Sequence, residues 1–194
     1  MNTEHVVALD YGQGGRQREA LIVVLDPGHG GRDPGAVGPS GLLEKDVCLN
    51  ICLETRRLLQ AQGIDVRLTR ETDVNVPLNR RVAPAGARAL ISVHCNAFTN
   101  REANGTETFW RPGGHSEGQR LAQLVQNALL RALGRRNRGV KNADFQVLRQ
   151  ARVPAVLAEL AFISNLLEES ILRDPAIQQR TAAAIADAII AFLQ

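Results

Sequence analysis

The chain has 194 residues, 44% of them hydrophobic and 22% charged, with a net charge of +3 and a pI near 9.1. That length and apolar fraction suit one globular domain with a sizeable core. Aromatics make up 4%, and the dense basic cluster Arg131–Lys141 contains none, which argues against nucleic-acid binding. No apolar run approaches the length of about 18 residues that a spanning helix requires, so the chain is not expected to cross a membrane.

Residues 1–19 are polar and Gly-containing and are expected to form a tail, with Val6–Leu9 as a possible short edge strand. They lack a basic n-region and a long apolar core, so they do not form a signal peptide. Leu21–Leu25 is a β-branched apolar run that ends in Asp26-Pro27-Gly28-His29-Gly30-Gly31, the pattern of a buried strand followed by a tight turn. Leu42–Gln62 has helical periodicity in Val47, Ile51, Leu58 and Leu59, and Gly63 supplies a C-cap. Ile64–Thr69 alternates and predicts a second strand, and Pro77 predicts a helix opening there and running to about Ala87. Ala89–Val93 is another buried strand that ends at a histidine, His94, and Thr106–Trp110 a further strand. Ser116–Leu133 is amphipathic, with Leu121, Leu124, Val125, Ala128 and Leu129 as its stripe. Arg135–Asn142 reads as a basic loop and Phe145–Leu148 as a short strand. Pro154–Leu160 is a third apolar strand, and Leu166–Leu172 and Pro175–Leu193 are helices. Alternating strands and helices predict a single α/β domain over residues 20–194, its mostly parallel twisted sheet flanked by helices.

Ligands bind at the carboxyl ends of strands in such sheets. His29 and His94 each directly end an apolar strand, which predicts a shared site. Zinc accepts imidazole and carboxylate ligands and keeps one position open in catalytic sites. Glu44 is a candidate third ligand at the start of the first helix, where it equally suits the helix dipole; Glu54 is a weaker rival, over two turns further on. Glu159 lies inside PAVLAELAF, where a carboxylate is costly unless functional or paired. It is either a general base beside the metal or the partner of an arginine such as Arg80 or Arg149.

Several rival chemistries lack their signatures. No Gly-Lys-Ser/Thr follows GHGGRDPG at phosphate-loop spacing. The zincin, nucleobase-deaminase and Gly-x-Ser-x-Gly motifs are also absent. The three cysteines form no Cys-x-x-Cys pair, and their odd number without a framework predicts small buried side chains rather than disulfides.

The segments LDPGHGGRDPGAVG, LLEKDVCLNICLETRRLL, VRLTRETDVNVPLNRR, ALISVHCNA, GTETFW, RGVKNADFQVLR and PAVLAELAFISN run in the order found in the zinc-dependent N-acetylmuramoyl-L-alanine amidases of the amidase-3 type. The chain resembles that family from about Leu21 to its end. The resemblance implies one catalytic zinc held by His29, Glu44 and His94 at the carboxyl edge of the sheet, with Glu159 as catalytic carboxylate. It implies hydrolysis of the amide between the lactyl group of N-acetylmuramic acid and L-alanine of the stem peptide. Asn96, Arg138 and Lys141 are candidate substrate contacts, the basic loop meeting stem-peptide carboxylates. The implied partner is peptidoglycan, the expected state a monomer, and the implied location the periplasm or the extracellular wall; a phage-type lysin released from the cytoplasm is the alternative. Some family members carry, after the second histidine, a long insertion with a helix that plugs the zinc site. Here only about Phe98–Gly105 joins SVHCNA to GTETFW, so the site is expected to be open and constitutively active. Two other readings stand beside this one: a wall-binding module without turnover, and a zinc peptidase that cuts within the stem. The first has no use for a buried base, and the products distinguish the second.

Overall fold

The computed structural model describes residues 21–194, so the expectations for residues 1–19 lie outside the described part. Six strands form one sheet in the order β2-β1-β3-β6-β4-β5. They are β1 (Ile22–Pro27), β2 (Asp65–Leu68), β3 (Ala87–Asn96), β4 (Thr106–Trp110), β5 (Asn137–Asn142) and β6 (Ala155–Phe162). Neighbours among the first four are parallel; β4 pairs antiparallel with β6 and parallel with β5, so the last two strands run in reverse. The sheet is thus mixed, four strands one way and two the other.

Alternation along the strands builds two unequal faces. Val23 and Leu25 on β1, Ala89, Ile91 and Val93 on β3, and Val156, Ala158 and Leu160 on β6 join the main core. Helices α1 (Glu44–Gln60), α2 (Gly118–Leu133) and α5 (Pro175–Leu193) bury that face. The opposite residues, Val24, Leu90, Ala155 and Leu157, form a small second core against Val147 and Leu148 of α3 (Gln146–Gln150). Toward the carboxyl edge this thin face carries polar residues instead: Asp26, Ser92, His94 and Glu159. Helix α4 (Leu166–Arg173) is capped by the Asn165 carboxamide oxygen, which accepts from the backbone of Leu167 and Glu168. Pro175 opens α5 behind the Asp174 cap.

Three local expectations are corrected. The helix predicted from Pro77 to Ala87 is only a 3-10 turn, Leu78–Arg80. Pro84 and Gly86 oppose its continuation, and Arg81 turns inward to Asp26. The expected loop at Arg135–Asn142 contains strand β5, stabilised by pairing with β4. The expected strand at Phe145–Leu148 is replaced by α3, whose Val147 and Leu148 pack onto the thin face. All three cysteines are free and buried, as expected.

Candidate metal centre

The turn after β1 places His29 at φ 59, a left-handed conformation that costs a non-glycine residue free energy. Two buried arginines hold the turn there. Arg70 donates from Nε to the Pro27 carbonyl and from Nη2 to those of Gly28 and Lys45. Arg81 donates to the carbonyls of Pro27 and His29, the latter at 2.6 Å, and to Val76. Three consecutive carbonyls of the turn are therefore gripped by guanidinium groups. Arg81 is charge-balanced by Asp26 at 2.8 Å, a carboxylate that also accepts from Thr69 and Ser92.

This turn, the end of β3 and the start of α1 meet at the carboxyl edge. His29, Glu44 and His94 offer ligand atoms that all lie within 4.8 Å of one another. Glu44 Oε1 stands 3.2 Å from His29 Nε2 and 3.0 Å from His94 Nδ1. The carboxylate is oriented by backbone donors, Ala36 N–H on Oε2 and Cys95 N–H on Oε1. Asp33 Oδ2 lies 2.8 Å from His29 Nδ1, so Nε2 is the nitrogen left facing Glu44. Glycine is required for this closeness at two points. A Cβ on Gly28 would meet the His94 ring at 2.4 Å, and one on Gly35 would meet Glu44 Oε2 and the His29 ring at 2.6 Å.

The electrostatics follow from these contacts. The Glu44 carboxylate, reinforced by Asp33, pushes His29 up to about 9 against the effect of burial. Burial alone would raise Glu44, but hydrogen bonds with His29 and His94 hold it far below the usual carboxylate range. Burial lowers His94, and Glu44 more than reverses this.

Glu159 is in register with His94 on the neighbouring strand and lines the same pocket, of about 550 Å³, with His29, Asp33 and Arg81. The residue is half-buried, and its Oε2 is sealed from solvent without a hydrogen-bond partner. Burial pushes its carboxyl up to about 7. It pairs with no arginine among the described residues, and Arg149 is engaged with Asp144 instead. An unpartnered carboxyl titrating near neutrality is suited to proton transfer.

The structure thus brings together His29, Glu44, His94 and Glu159, and separates Glu54, which pairs with Arg57 further along α1. Asn96, Arg138 and Lys141 gather around Glu107, the residue opposite Glu159 on β4. Sequence reasoning passed over Asp33, Asp26, Arg70, Arg81 and Glu107. Asp33 had a faint signal, four residues after His29 in the same glycine-rich turn. The arginines had none, because their partners are backbone carbonyls far away in sequence.

Known proteins resemble this chain over most of its length. The family model described as N-acetylmuramoyl-L-alanine amidase matches residues 23–191. N-acetylmuramoyl-L-alanine amidase AmiC of Neisseria meningitidis is 34% identical over 90% of this chain and 53% of that protein. N-acetylmuramoyl-L-alanine amidase LytC of Bacillus subtilis is 38% identical over 88% of this chain and 35% of its own length. The chain thus spans about half or less of these curated relatives. Among solved structures, the catalytic domain of CwlV, an amidase from Bacillus (Paenibacillus) polymyxa var. colistinus, superposes with a TM-score of 0.84. It is 35% identical, over 89% of this chain and 98% of that one. Amidase AmiC2 of Nostoc punctiforme gives a TM-score of 0.84 at 38% identity, over 90% of this chain and 97% of that one.

Proposed function

This chain belongs to the N-acetylmuramoyl-L-alanine amidase family, and we propose that it hydrolyses the amide joining the lactyl group of N-acetylmuramic acid to L-alanine of the peptidoglycan stem peptide. The observation that carries this reading is the unpartnered carboxyl of Glu159, in register with His94 beside the His29–Glu44–His94 cluster.

The donor set fits one zinc ion: two imidazoles, one carboxylate fixed by two backbone N–H groups, and Asp33 behind one imidazole. When bound, zinc would polarise a carbonyl oxygen and lower the pKa of a bound water. His29, Glu44 and His94 would hold the ion, and Asp33 orients His29. Glu159 accepts the proton of the attacking water and passes it to the leaving amine. Burial raises its proton affinity in the metal-free site, which suits a group that both takes and returns a proton. Arg70 and Arg81 keep the His29 turn in its left-handed form. Asn96, Arg138 and Lys141 serve as substrate contacts on the neighbouring strands.

Residues 97–105, which link β3 to β4, contain no helix. That supports a site open to substrate without removal of a plug. Relatives named as cell wall amidases support action on the wall, in the periplasm or outside the cell. No described helix is long and apolar enough to cross a membrane.

The test is digestion of purified peptidoglycan, with metal content measured on the same samples. Release of stem peptides with free L-alanine amino termini, dependent on one bound zinc, is expected. New termini within the stem would overturn the reading in favour of a peptidase.

A further inference from the structure

The alternation of β6 breaks immediately after Glu159. Up to that point its side chains divide evenly between the faces, Val156 and Ala158 in the main core and Ala155 and Leu157 in the second. Leu160 and Ala161 then both join the main core. The pairing with β3 slips at the same place. His94 stands opposite Glu159, but Asn96 stands opposite Phe162, so Cys95 alone spans Leu160 and Ala161. Pairing resumes at once, with Ile163 N–H donating to the Asn96 carbonyl at 2.8 Å. This is a β-bulge of one extra residue, a feature that is rare between parallel strands and that re-aims side chains. Because the side-chain period of a strand is two, moving the extra residue to the other side of Glu159 would turn this carboxyl into the main core.

Two side chains hold the bulge, one on each side of it. Thr106 Oγ1 on β4 donates to the Leu160 carbonyl at 2.7 Å, and the Glu168 carboxylate of α4 accepts from Phe162 N–H at 2.7 Å. Both residues are buried. Glu168 also accepts from Gly105 N–H at 2.9 Å, directly before Thr106, so one carboxylate ties the start of β4 to the end of β6. Helix capping does not account for this arrangement. A Glu three residues after a cap ordinarily returns to the N–H of the cap. Here Asn165 N–H is taken by the Phe162 carbonyl, and Glu168 reaches further back. Its partners are backbone N–H groups, and burying a carboxylate on such groups is costly unless they need it.

We propose that Glu168 is a positioning residue for Glu159: with Thr106 it fixes the extra residue of β6 on the far side of Glu159 and so keeps that carboxyl on the face of His94. Glu168 acts through the strand and has no contact with His29, Glu44 or His94 among its hydrogen bonds. The consequence for turnover rests on the amidase reading, in which Glu159 is the base. The consequence for the placement of Glu159 does not.

The experiment makes Glu168→Gln, Thr106→Val and Thr106→Ser, each alone and in the Glu159→Gln background, and measures peptidoglycan cleavage per bound zinc, so that an unfolded fraction drops out. Glu168→Gln and Thr106→Val are expected to lower kcat about 10–100-fold by misplacing the base. KM and zinc affinity should be unchanged, and Thr106→Ser, which keeps the hydroxyl, should restore kcat. In the Glu159→Gln background neither substitution should lower the residual kcat further, whereas a general loosening of the fold would lower it again. Two variants on different elements keep the test available if one fails to fold. Crystal structures of wild type and the variants read the placement without turnover, and the bulge and the Glu159 carboxyl are expected to shift. Wild type that releases no peptide beginning at L-alanine refutes the amidase reading, and the crystal structures then decide the placement by themselves. A Glu159 carboxyl that keeps its position in both Glu168→Gln and Thr106→Val, a loss of kcat that persists in the Glu159→Gln background, or a parallel loss of zinc affinity would overturn the inference.

Discussion

Replacing Glu159 by Gln separates its chemical role from its energetic one. Its carboxyl is raised from 4.5 to about 7 by burial. The folded protein therefore holds this proton between those two values while the unfolded chain has lost it. Stability consequently falls as pH rises through that window. At about 1.4 kcal/mol per unit, the full cost above pH 7 is about 3 kcal/mol at most, and roughly 2 kcal/mol of it develops between pH 5 and pH 8. Pocket water reduces these values, because the residue is only half-buried. Gln has no proton to lose. In metal-free protein, the stability advantage of Glu159→Gln over wild type should grow by up to about 2 kcal/mol between pH 5 and pH 8. Denaturant unfolding of both proteins at the two pH values measures this directly. Loss of the base should at the same time lower kcat about 10²–10⁴-fold, with zinc still bound. A stability difference that does not change with pH would show that Glu159 is not desolvated as described. Wild-type turnover in the variant would remove it from the mechanism.

Asp33→Ala removes the carboxylate behind His29 and should weaken zinc binding about 10–100-fold, measured by chelator competition, with little loss of stability because Asp33 is exposed. Arg81→Met leaves Asp26 buried without its cation and releases the His29 carbonyl. A loss of about 3 kcal/mol in denaturant unfolding is expected, with weaker zinc binding beside it; unchanged zinc affinity would mean that the clamp does not position His29. His29 is raised from 6.5 to about 9, so its contribution to metal-free stability is complete below pH 6.5 and lost as pH rises to about 9. Thermal melts of metal-free protein across that range should fall, and those of His29→Ala should lose this part of the slope. Because zinc displaces protons from the histidines, zinc affinity should rise over the same interval.

Several features were legible from local pattern alone. The apolar runs of β1, β3 and β6 and the periodic stripes of α1, α2 and α5 report burial residue by residue, and these elements form about where expected. His29, His94 and Glu159 were legible for a related reason: each breaks an apolar strand at or near its end, where a polar residue is costly without a role. Glu44 stood evenly between helix-dipole complement and ligand until family resemblance favoured the latter. The geometry brings its oxygen near both imidazoles.

The elements that escaped depend on partners distant in sequence. β5, with Gly139 and charged residues, has weak strand character and exists because the β4 edge pairs with it. α3 is five residues long, and its apolar pair is read by the thin face rather than by any period. Arg70 and Arg81 lie in a polar stretch that reads as solvated, yet both are buried because the turn at residues 27–29 presents bare carbonyls that need donors. Glu107 meets Arg138 and Lys141 because β5 pairs with β4, and faces Glu159 because β4 pairs antiparallel with β6. Composition and periodicity determined the class of fold and placed His29, His94 and Glu159 at the carboxyl edge of the sheet. Tertiary pairing decided how that edge is held and what lies beside it, because strand register and buried ion pairs are satisfied across the sheet and not along the chain.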